Sequence, residues 1–208
     1  LSQLAGLHTS ETTYDEQALV GIVGVDRDQD HTAYERLTRH GPLALLPLDT
    51  RRFALAWTLP ADEAQDTQAL DQRDFLEKLQ EVFGDRLGFF TRCDSLKVYP
   101  LRRADMAEPV SDRVVALGNA AHVVHPVAGQ GFNLGLRDVA QLAEELAHAL
   151  ADGNDIGNSA VLAGYARSRR SQTRRVLHFT DGLLRIFSNE TLGARLARNI
   201  GLSTLEVL

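Results

Sequence analysis

Residues 113–138 constrain the fold of this chain most, because they predict a buried strand, a glycine-containing turn and the start of a helix. The apolar run at 114–117 is typical of a strand covered on both faces, and Gly118 ends it. Gly129 and Gly131 give the turn backbone freedom. Apolar residues then recur at helical spacing, at Val139, Leu142, Leu146 and Leu150. We therefore expect a helix that begins between residues 129 and 134.

A helix that begins here has chemical consequences at its first turn. The backbone N–H groups of residues 131–134 lack partners within the helix, and the positive end of the helix dipole lies beside them. This end of the helix would suit an anion or an electron-rich ring. Small residues before the helix would let a flat ligand lie against the backbone, and Asn133 could hydrogen-bond its edge. The stretch predicts either such a site, which a large side chain at 129 or 131 should block, or an ordinary strand–turn–helix connection.

The same residues resemble the second flavin fingerprint of the single-component FAD-dependent aromatic hydroxylases. The matching pattern is Gly118-Asn-Ala-Ala-His122, His125-Pro-x-x-Gly-Gln-Gly131-x-Asn133-x-Gly135 and Arg137-Asp138-Val139. Within that family the chain resembles the ubiquinone-biosynthesis branch, in particular the 2-octaprenyl-6-methoxyphenol hydroxylases, through residues 39–47 and 199–206. Asn119 stands where most of the superfamily has Asp, and Asn at this point is familiar in this branch.

The resemblance implies a fold class and a domain organisation. We expect an α+β chain, a truncated form of the α/β FAD-hydroxylase fold. It comprises a mainly antiparallel substrate-binding sheet domain at 1–108 and the C-terminal part of the FAD-binding domain, with long helices, at 109–208. The family's N-terminal βαβ unit, with Gly-x-Gly-x-x-Gly, and its Asp-Gly segment are not found in these 208 residues. The chain is therefore expected to be roughly the C-terminal half of such an enzyme, inactive and without stoichiometric FAD by itself.

For the whole protein the resemblance implies a monooxygenase that hydroxylates a polyprenylated phenol in ubiquinone biosynthesis, using NAD(P)H and O2 through a flavin C4a-hydroperoxide. The residues implied to bind FAD are Gly118, Asn119, Ala120, Pro126, Gly129, Gln130, Gly131, Phe132 and Asn133. His122 and His125 are weak candidates for proton transfer, and structural hydrogen bonding is their alternative role. Two other functions stay open: an FAD-dependent reductase of the same superfamily, and a non-catalytic flavoprotein-fold subunit or scaffold of a biosynthetic assembly.

Composition argues against other classes of protein. The net charge is −6, and no Lys/Arg stripe is interleaved with aromatics, so we expect no nucleic-acid partner. Cys93 is the only cysteine, which excludes an intrachain disulfide and fits a reducing cytoplasm. No apolar run of about 18 residues indicates a membrane span. We expect a cytoplasmic protein, with the inner-membrane surface, other ubiquinone-biosynthesis proteins and a second copy of the chain as candidate partners.

The two histidines and the serines do not indicate another catalytic site. His122 and His125 have no third ligand placed with them, and Pro126 favours an extended conformation for His125, so we expect no metal ion. No serine lies in a nucleophile-elbow sequence, which argues against a Ser-His-Asp hydrolase.

Local patterns predict the remaining elements. Apolar alternation predicts four strands in an antiparallel meander, at 17–25, 32–37, 43–47 and 53–59. Phe53 and Trp57 share a face of the last strand and are expected in the core. The next segments are predicted as a polar loop at 61–71, a helix at 72–83 ended by Gly84, one or two strands at 87–101, and irregular structure at 102–112.

The C-terminal part of the chain is predicted to be helical. The helix that begins near 130 should run to about 152, and a second helix should cover 158–188. A short amphipathic stretch is expected at 192–208. Five arginines of the second helix are expected on a solvated face: Arg167, Arg169, Arg170, Arg174 and Arg175.

Overall fold

The computed structural model of the chain describes residues 4–188, with the side chains of residues 128 and 184–188 excepted. The strands are β1 (Thr9–Val25), β2 (Tyr34–Thr38), β3 (Gly41–Pro47), β4 (Arg52–Pro60), β5 (Phe90–Met106), β6 (Val110–Ser111), β7 (Val114–Val115) and β8 (His122–Val123). The α-helices are α1 (Ala61–Ala69), α2 (Gln72–Phe83), α3 (Gln130–Ala151) and α4 (Ser159–Ser188). Single 3-10 turns lie at Asp85–Leu87, Gly118–Ala120 and Val127–Gly129.

The chain forms two compact units, residues 14–101 and residues 4–13 with 102–183. One sheet has the strand order β2-β3-β4-β1-β5-β8, and β6 and β7 form a second, two-stranded sheet. The pairs β1–β4, β2–β3, β3–β4, β5–β8 and β6–β7 are antiparallel. Antiparallel strands followed by long helices confirm the predicted α+β fold class.

In residues 14–101 the core is built on alternate residues of β4. Four side chains of this strand are at most 1% exposed: Phe53, Leu55, Trp57 and Leu59. Strand β4 pairs with β1 on one side, where Leu19 faces Trp57, and with β3 on the other, where Leu43 faces Trp57. The prediction of Phe53 and Trp57 as core residues is confirmed.

Helix α2 packs against this core with one face. Its buried residues Phe75, Leu79 and Phe83 recur every four positions, as an amphipathic helix requires. The Asp71 side chain accepts a hydrogen bond from the backbone N–H of Asp74 and caps the N-terminus. Gly84, with φ +87°, ends the helix. The predicted helix at 72–83 is confirmed.

Two predictions in this unit are wrong. Strand β1 lies beside β4 instead of β2, so only β2, β3 and β4 form a meander, because alternation reports which face is buried and not which strand is the neighbour. Residues 61–69, expected as a loop, form helix α1. Only Ala64 and Thr67 of this helix are buried. Two buried residues in a polar sequence give no apolar pattern from which a helix could be predicted. The negative charges of Asp62 and Glu63 in its first turn interact favourably with the positive end of the helix dipole.

Strand β5 is longer than predicted. Residues 102–106, expected to be irregular, continue the strand, because Ala104 and Asp105 pair with Val123 and His122 of β8. The prediction of a strand at 114–117 that is covered on both faces is also wrong. Strand β7 holds only Val114–Val115, it pairs with β6, and Val114 is 42% exposed.

The helices of residues 102–183 agree with the sequence patterns. Helix α3 begins at Gln130, inside the predicted window, and ends at Ala151. Asn158 accepts a hydrogen bond from the Ala160 N–H at the start of α4, which begins within one residue of its predicted start. No helix among residues 4–188 combines the length and apolar character needed to cross a bilayer. The stretch expected at 192–208 lies outside the described residues.

Candidate functional site

The start of α3 is open to a ligand. Gly129 precedes the helix in the left-handed conformation, with φ +58° and ψ 28°, which glycine adopts without strain. Because glycine has no side chain, the N-cap residue makes no side-chain hydrogen bond to the helix. The first turn of α3 contains no acidic residue. A methyl group added at Gly129 would meet nothing within 4 Å. The space beside Gly129 is therefore open, and the positive end of the helix dipole lies at this end of α3.

The turn before α3 is held from inside by His125. This side chain is 1% exposed, and its Nδ1 accepts a hydrogen bond of 3.1 Å from the backbone N–H of Val127. The carbonyl of Pro126 accepts from the N–H of Gly129 at 3.0 Å. The Pro126 ring itself is exposed. A buried histidine thus orders a turn whose outer surface faces solvent.

A second turn, Gly118–Ala120, packs against the side of α3. Gly118 has φ +53°, and its carbonyl accepts a hydrogen bond from the N–H of Ala121 at 2.9 Å. A methyl group added at Gly135 of α3 would lie 3.4 Å from the Cα atom of Gly118. Two glycines therefore let the turn and the helix approach backbone to backbone.

The residues predicted to bind FAD occupy these two turns and the first turn of α3. Gly118, Gln130 and Gly131 are half-buried, and the others are exposed: Asn119, Ala120, Pro126, Gly129, Phe132 and Asn133. Phe132 is 77% exposed. The Gly118–Ala120 segment thus packs against the side of α3, and the second predicted segment forms the turn before this helix and its first turn.

Asp138 of α3 is the centre of a buried polar network. Its Oδ2 accepts a hydrogen bond of 3.0 Å from the backbone N–H of Gly118 and lies 2.6 Å from Nε2 of His122. Its Oδ1 accepts a hydrogen bond of 2.7 Å from Nε of Arg169 on α4. Arg169 also donates to the carbonyl of Leu134 at 3.3 Å. The Asp138, His122 and Arg169 side chains are between 2% and 5% exposed.

The surroundings of Asp138 keep it ionised. Burial by itself raises the pKa of this carboxyl group, but hydrogen bonds from His122, from the Gly118 N–H and from Arg169 outweigh burial, and the net pKa is lowered. Tyr165 lies on the same face of α4 as Arg169 and is 1% exposed. Burial, together with the charge of Asp138, raises the pKa of the Tyr165 hydroxyl, so this group is a neutral phenol.

The prediction that all five arginines of α4 lie on a solvated face is wrong for Arg169. Arg167, Arg170, Arg174 and Arg175 are exposed, but Arg169 is buried and paired with Asp138. The signal that could have found it is its helical spacing from the buried residues Leu162, Tyr165 and Ala166. A charged residue on a buried helix face requires a buried partner of opposite charge.

A cavity of about 390 Å³ borders this network. Its walls include Asp138, His122 and Arg169, together with Tyr165, Arg174 and His178. None of Gly118, Gly129 or Asn133 lines it. The cavity is therefore distinct from the open surface at the start of α3.

Among residues 4–188 no group of three or more His, Cys, Asp or Glu side chains is arranged to hold a metal ion.

Comparison with known proteins places the chain in one family. The family described as FAD binding domain matches residues 5–180. The chain is 38% identical to the ubiquinone hydroxylase UbiL of Rhodospirillum rubrum, over 97% of this chain and 47% of that protein. It is 29% identical to the 3-demethoxyubiquinol 3-hydroxylase of Escherichia coli, over 98% of this chain and 52% of that protein. The chain spans about half the length of these relatives.

Solved structures show the same fold. PqsL of Pseudomonas aeruginosa, solved in complex with 2-aminobenzoylacetate, superposes with a TM-score of 0.73 at 25% identity, over 90% of this chain and 52% of that one. The p-nitrophenol 4-monooxygenase PnpA of Pseudomonas putida superposes with a TM-score of 0.68 at 22% identity, over 94% of this chain and 49% of that one.

Proposed function

Because this chain belongs to the FAD binding domain family, we propose that the protein containing it is an FAD-dependent monooxygenase that hydroxylates a polyprenylated phenol in ubiquinone biosynthesis. NAD(P)H is the proposed electron donor and O2 the co-substrate. One observation carries the proposal: the fingerprint residues include an open helix start without a side-chain cap, in a chain whose relatives are named ubiquinone hydroxylase and 3-demethoxyubiquinol 3-hydroxylase. The whole protein's substrate and activity are part of this proposal.

The residues at the start of α3 fit the isoalloxazine edge of FAD. Gly129 has no Cβ where a flat ring would approach, and the space there is open. The first turn of α3 has no acidic residue that would repel the negative charge of reduced flavin. The N–H groups of Gly131, Phe132 and Asn133 would hold that charge, an effect of about 0.3–1 kcal/mol when exposed and larger when water is excluded. The Gly118–Ala120 turn would hold a second edge of the cofactor.

Bound FAD would supply electron transfer from NAD(P)H and the activation of O2. The contribution of this chain is to bind, orient and shield. The exposed Pro126 ring offers an apolar surface next to the helix start, and buried His125 keeps the turn around it ordered. Residues 1–108 are proposed to form one wall of the substrate cavity. A proton-transfer role of His122 or His125 stays a prediction. In the structure His122 contacts the Asp138 carboxylate, and His125 accepts a hydrogen bond from the Val127 N–H.

The proposed activity is tested on the full-length protein that contains this chain. The purified protein should carry yellow FAD and oxidise NAD(P)H in the presence of a polyprenylated phenol. With ¹⁸O2, the phenol should gain one labelled oxygen atom. NAD(P)H oxidation without label in the phenol would indicate a reductase, and a protein without flavin and without turnover would indicate a scaffold. Either result would contradict the proposal.

Gly131→Asp should weaken FAD binding without unfolding the chain. A methyl group at Gly131 would lie 3.5 Å from a Val124 methyl, an ordinary contact, so the backbone can accept a side chain. An aspartate in the first turn favours the helix dipole by about 0.3–1 kcal/mol, so the apoprotein should be no less stable. The same charge would face the electron-rich edge of FAD. In the full-length protein that contains this chain, we expect the Kd for FAD, measured by flavin fluorescence titration, to rise roughly tenfold or more.

Gly131→Asn is the matched control, because it has the same shape without the charge. Its Kd should lie well below that of Gly131→Asp. If Gly131→Asp keeps its flavin and its activity, the assigned contact at the helix start is wrong.

Other partners and the location stay proposals. The surface of α3 carries several exposed apolar side chains: Phe132, Leu136, Val139 and Leu150. This apolar surface supports the proposal that the 208-residue chain self-associates when it is purified alone. Contact with the inner-membrane surface and with other ubiquinone-biosynthesis proteins, in a cytoplasmic location, is proposed from the family resemblance.

A further inference from the structure

A buried carboxylate joins the two backbone segments that are proposed to face the flavin. Asp138 lies about two helical turns after the start of α3 and is 2% exposed. It accepts a hydrogen bond from the backbone N–H of Gly118, the first residue of the Gly118–Ala120 turn. The carboxylate therefore ties that turn to the helix whose first turn contains Gly131 and Asn133.

The contact between the turn and the helix needs such a tie. Gly118 and Gly135 meet without side chains, and this close approach sets the distance between the two backbones. It leaves the direction of the turn undetermined, because glycine permits many backbone conformations. The hydrogen bond from the Gly118 N–H to Asp138 and the 2.6 Å contact of His122 with the same oxygen fix both ends of the turn.

On the basis of the proposed function, we propose that Asp138 is a positioning residue for FAD. Its carboxylate, held by Arg169 of α4, keeps the Gly118–Ala120 turn aligned with the start of α3, so that both segments contact one bound cofactor. Asp138 is buried beneath these segments and acts through the Gly118 backbone, without touching the cofactor itself.

The arrangement requires an ionised carboxylate in place of an amide. The Gly118 N–H and His122 face Oδ2, and the Arg169 Nε–H faces Oδ1, so both oxygen atoms of Asp138 must accept. An asparagine has one oxygen and one NH2 group. Whichever way its amide is turned, an NH2 group would face either the Arg169 donor or the Gly118 donor. Asp138→Asn should therefore displace the turn or the arginine while it preserves the side-chain volume.

A purely structural ion pair would behave differently from a positioning residue. A structural pair, when broken, lowers the stability of the apoprotein, but the molecules that remain folded bind FAD as before. A positioning residue, when altered, also changes the affinity for FAD and the environment of the bound ring. The visible absorption spectrum of bound flavin and its midpoint potential report that environment, and a loss of stability alone does not change them.

The test uses Asp138→Asn in the full-length protein that contains this chain, titrated with FAD at a temperature where the variant is folded. We expect its Kd for FAD to rise at least tenfold, and the absorption bands and midpoint potential of the bound flavin to shift. Asp181→Asn is the matched control. Asp181 also pairs with an arginine of this unit, Arg103, at 2.6 Å, and its substitution should leave the Kd within twofold of wild type.

A folded Asp138→Asn variant with the wild-type Kd and an unchanged flavin spectrum would overturn the positioning role and leave the proposed function intact. A wild-type protein that does not bind FAD would overturn both. If Asp138→Asn does not fold, Arg169→Lys takes its place, because it keeps a positive charge beside Asp138 but loses the geometry of the guanidinium. That variant should raise the Kd severalfold and shift the flavin spectrum, and a wild-type Kd would overturn the inference.

Discussion

Replacing Arg169 with methionine should lower the free energy of unfolding of residues 102–183 by roughly 3–5 kcal/mol. Methionine fills a similar volume, but it leaves the buried Asp138 carboxylate without its cationic partner on α4. The Leu134 carbonyl also loses a hydrogen bond from the guanidinium. Because α3 and α4 lie largely in this unit, denaturant unfolding followed by far-UV circular dichroism measures the loss.

Arg170→Met provides the control one residue further along α4. Arg170 pairs with Glu108, and the two side chains are 48% and 63% exposed. Exposed ion pairs contribute little, so this variant should lose no more than about 1 kcal/mol. Equal losses in the two variants would show that the burial of the Arg169–Asp138 pair has no energetic consequence.

The pH dependence of stability provides a second measurement of the same pair. The pKa of Asp138 in the folded chain lies below its unfolded value, so its ionised form stabilises the fold above about pH 4, and this contribution disappears as the pH falls through the folded pKa. Arg169 is one of the groups that lower this pKa. In Arg169→Met the acid-induced loss of stability should therefore begin at a higher pH than in the wild-type chain.

Trp57→Ala should lower the free energy of unfolding of residues 14–101 by roughly 3–5 kcal/mol. The indole is 1% exposed and lies on β4, with Leu19 of β1 and Leu43 of β3 as its cross-strand neighbours. Removing it opens a cavity that two hydrogen-bonded neighbouring strands cannot close. Urea unfolding followed by circular dichroism gives the loss, which does not rely on tryptophan fluorescence.

Leu46→Ala on β3 is the matched control for the sheet. Leu46 is 49% exposed, so its truncation should change stability by about 0.5 kcal/mol or less. A loss below about 1 kcal/mol for Trp57→Ala would mean that the core of this unit repacks around the missing ring.

Much of the candidate site could be predicted from the sequence. The glycines at 129 and 131, followed by a helical apolar repeat, indicated where α3 begins, because glycine conformation and helix periodicity are local properties. The resemblance at 118–139 indicated which segments approach the helix start. The core of the sheet followed from alternation at Phe53 and Trp57, which is also local.

The partners of those segments could not be read in the same way. Strand β1 pairs with β4, and residues 102–106 extend β5, because distant segments supply the hydrogen-bond partners. Helix α1 could not be predicted because only Ala64 and Thr67 of its polar sequence are buried, so no apolar repeat marks it. Such pairings exist only when the chain is folded.

The sequence by itself determined that a helix begins after a glycine turn at 129, that its start is free of acidic side chains, and that the chain belongs with flavin-binding proteins. Only the tertiary structure decided which of five arginines on α4 is buried and that Asp138 holds the Gly118 turn. The physical reason is that conformational preference acts over a few neighbouring residues, whereas the burial of a charge depends on the partner that another helix brings to it.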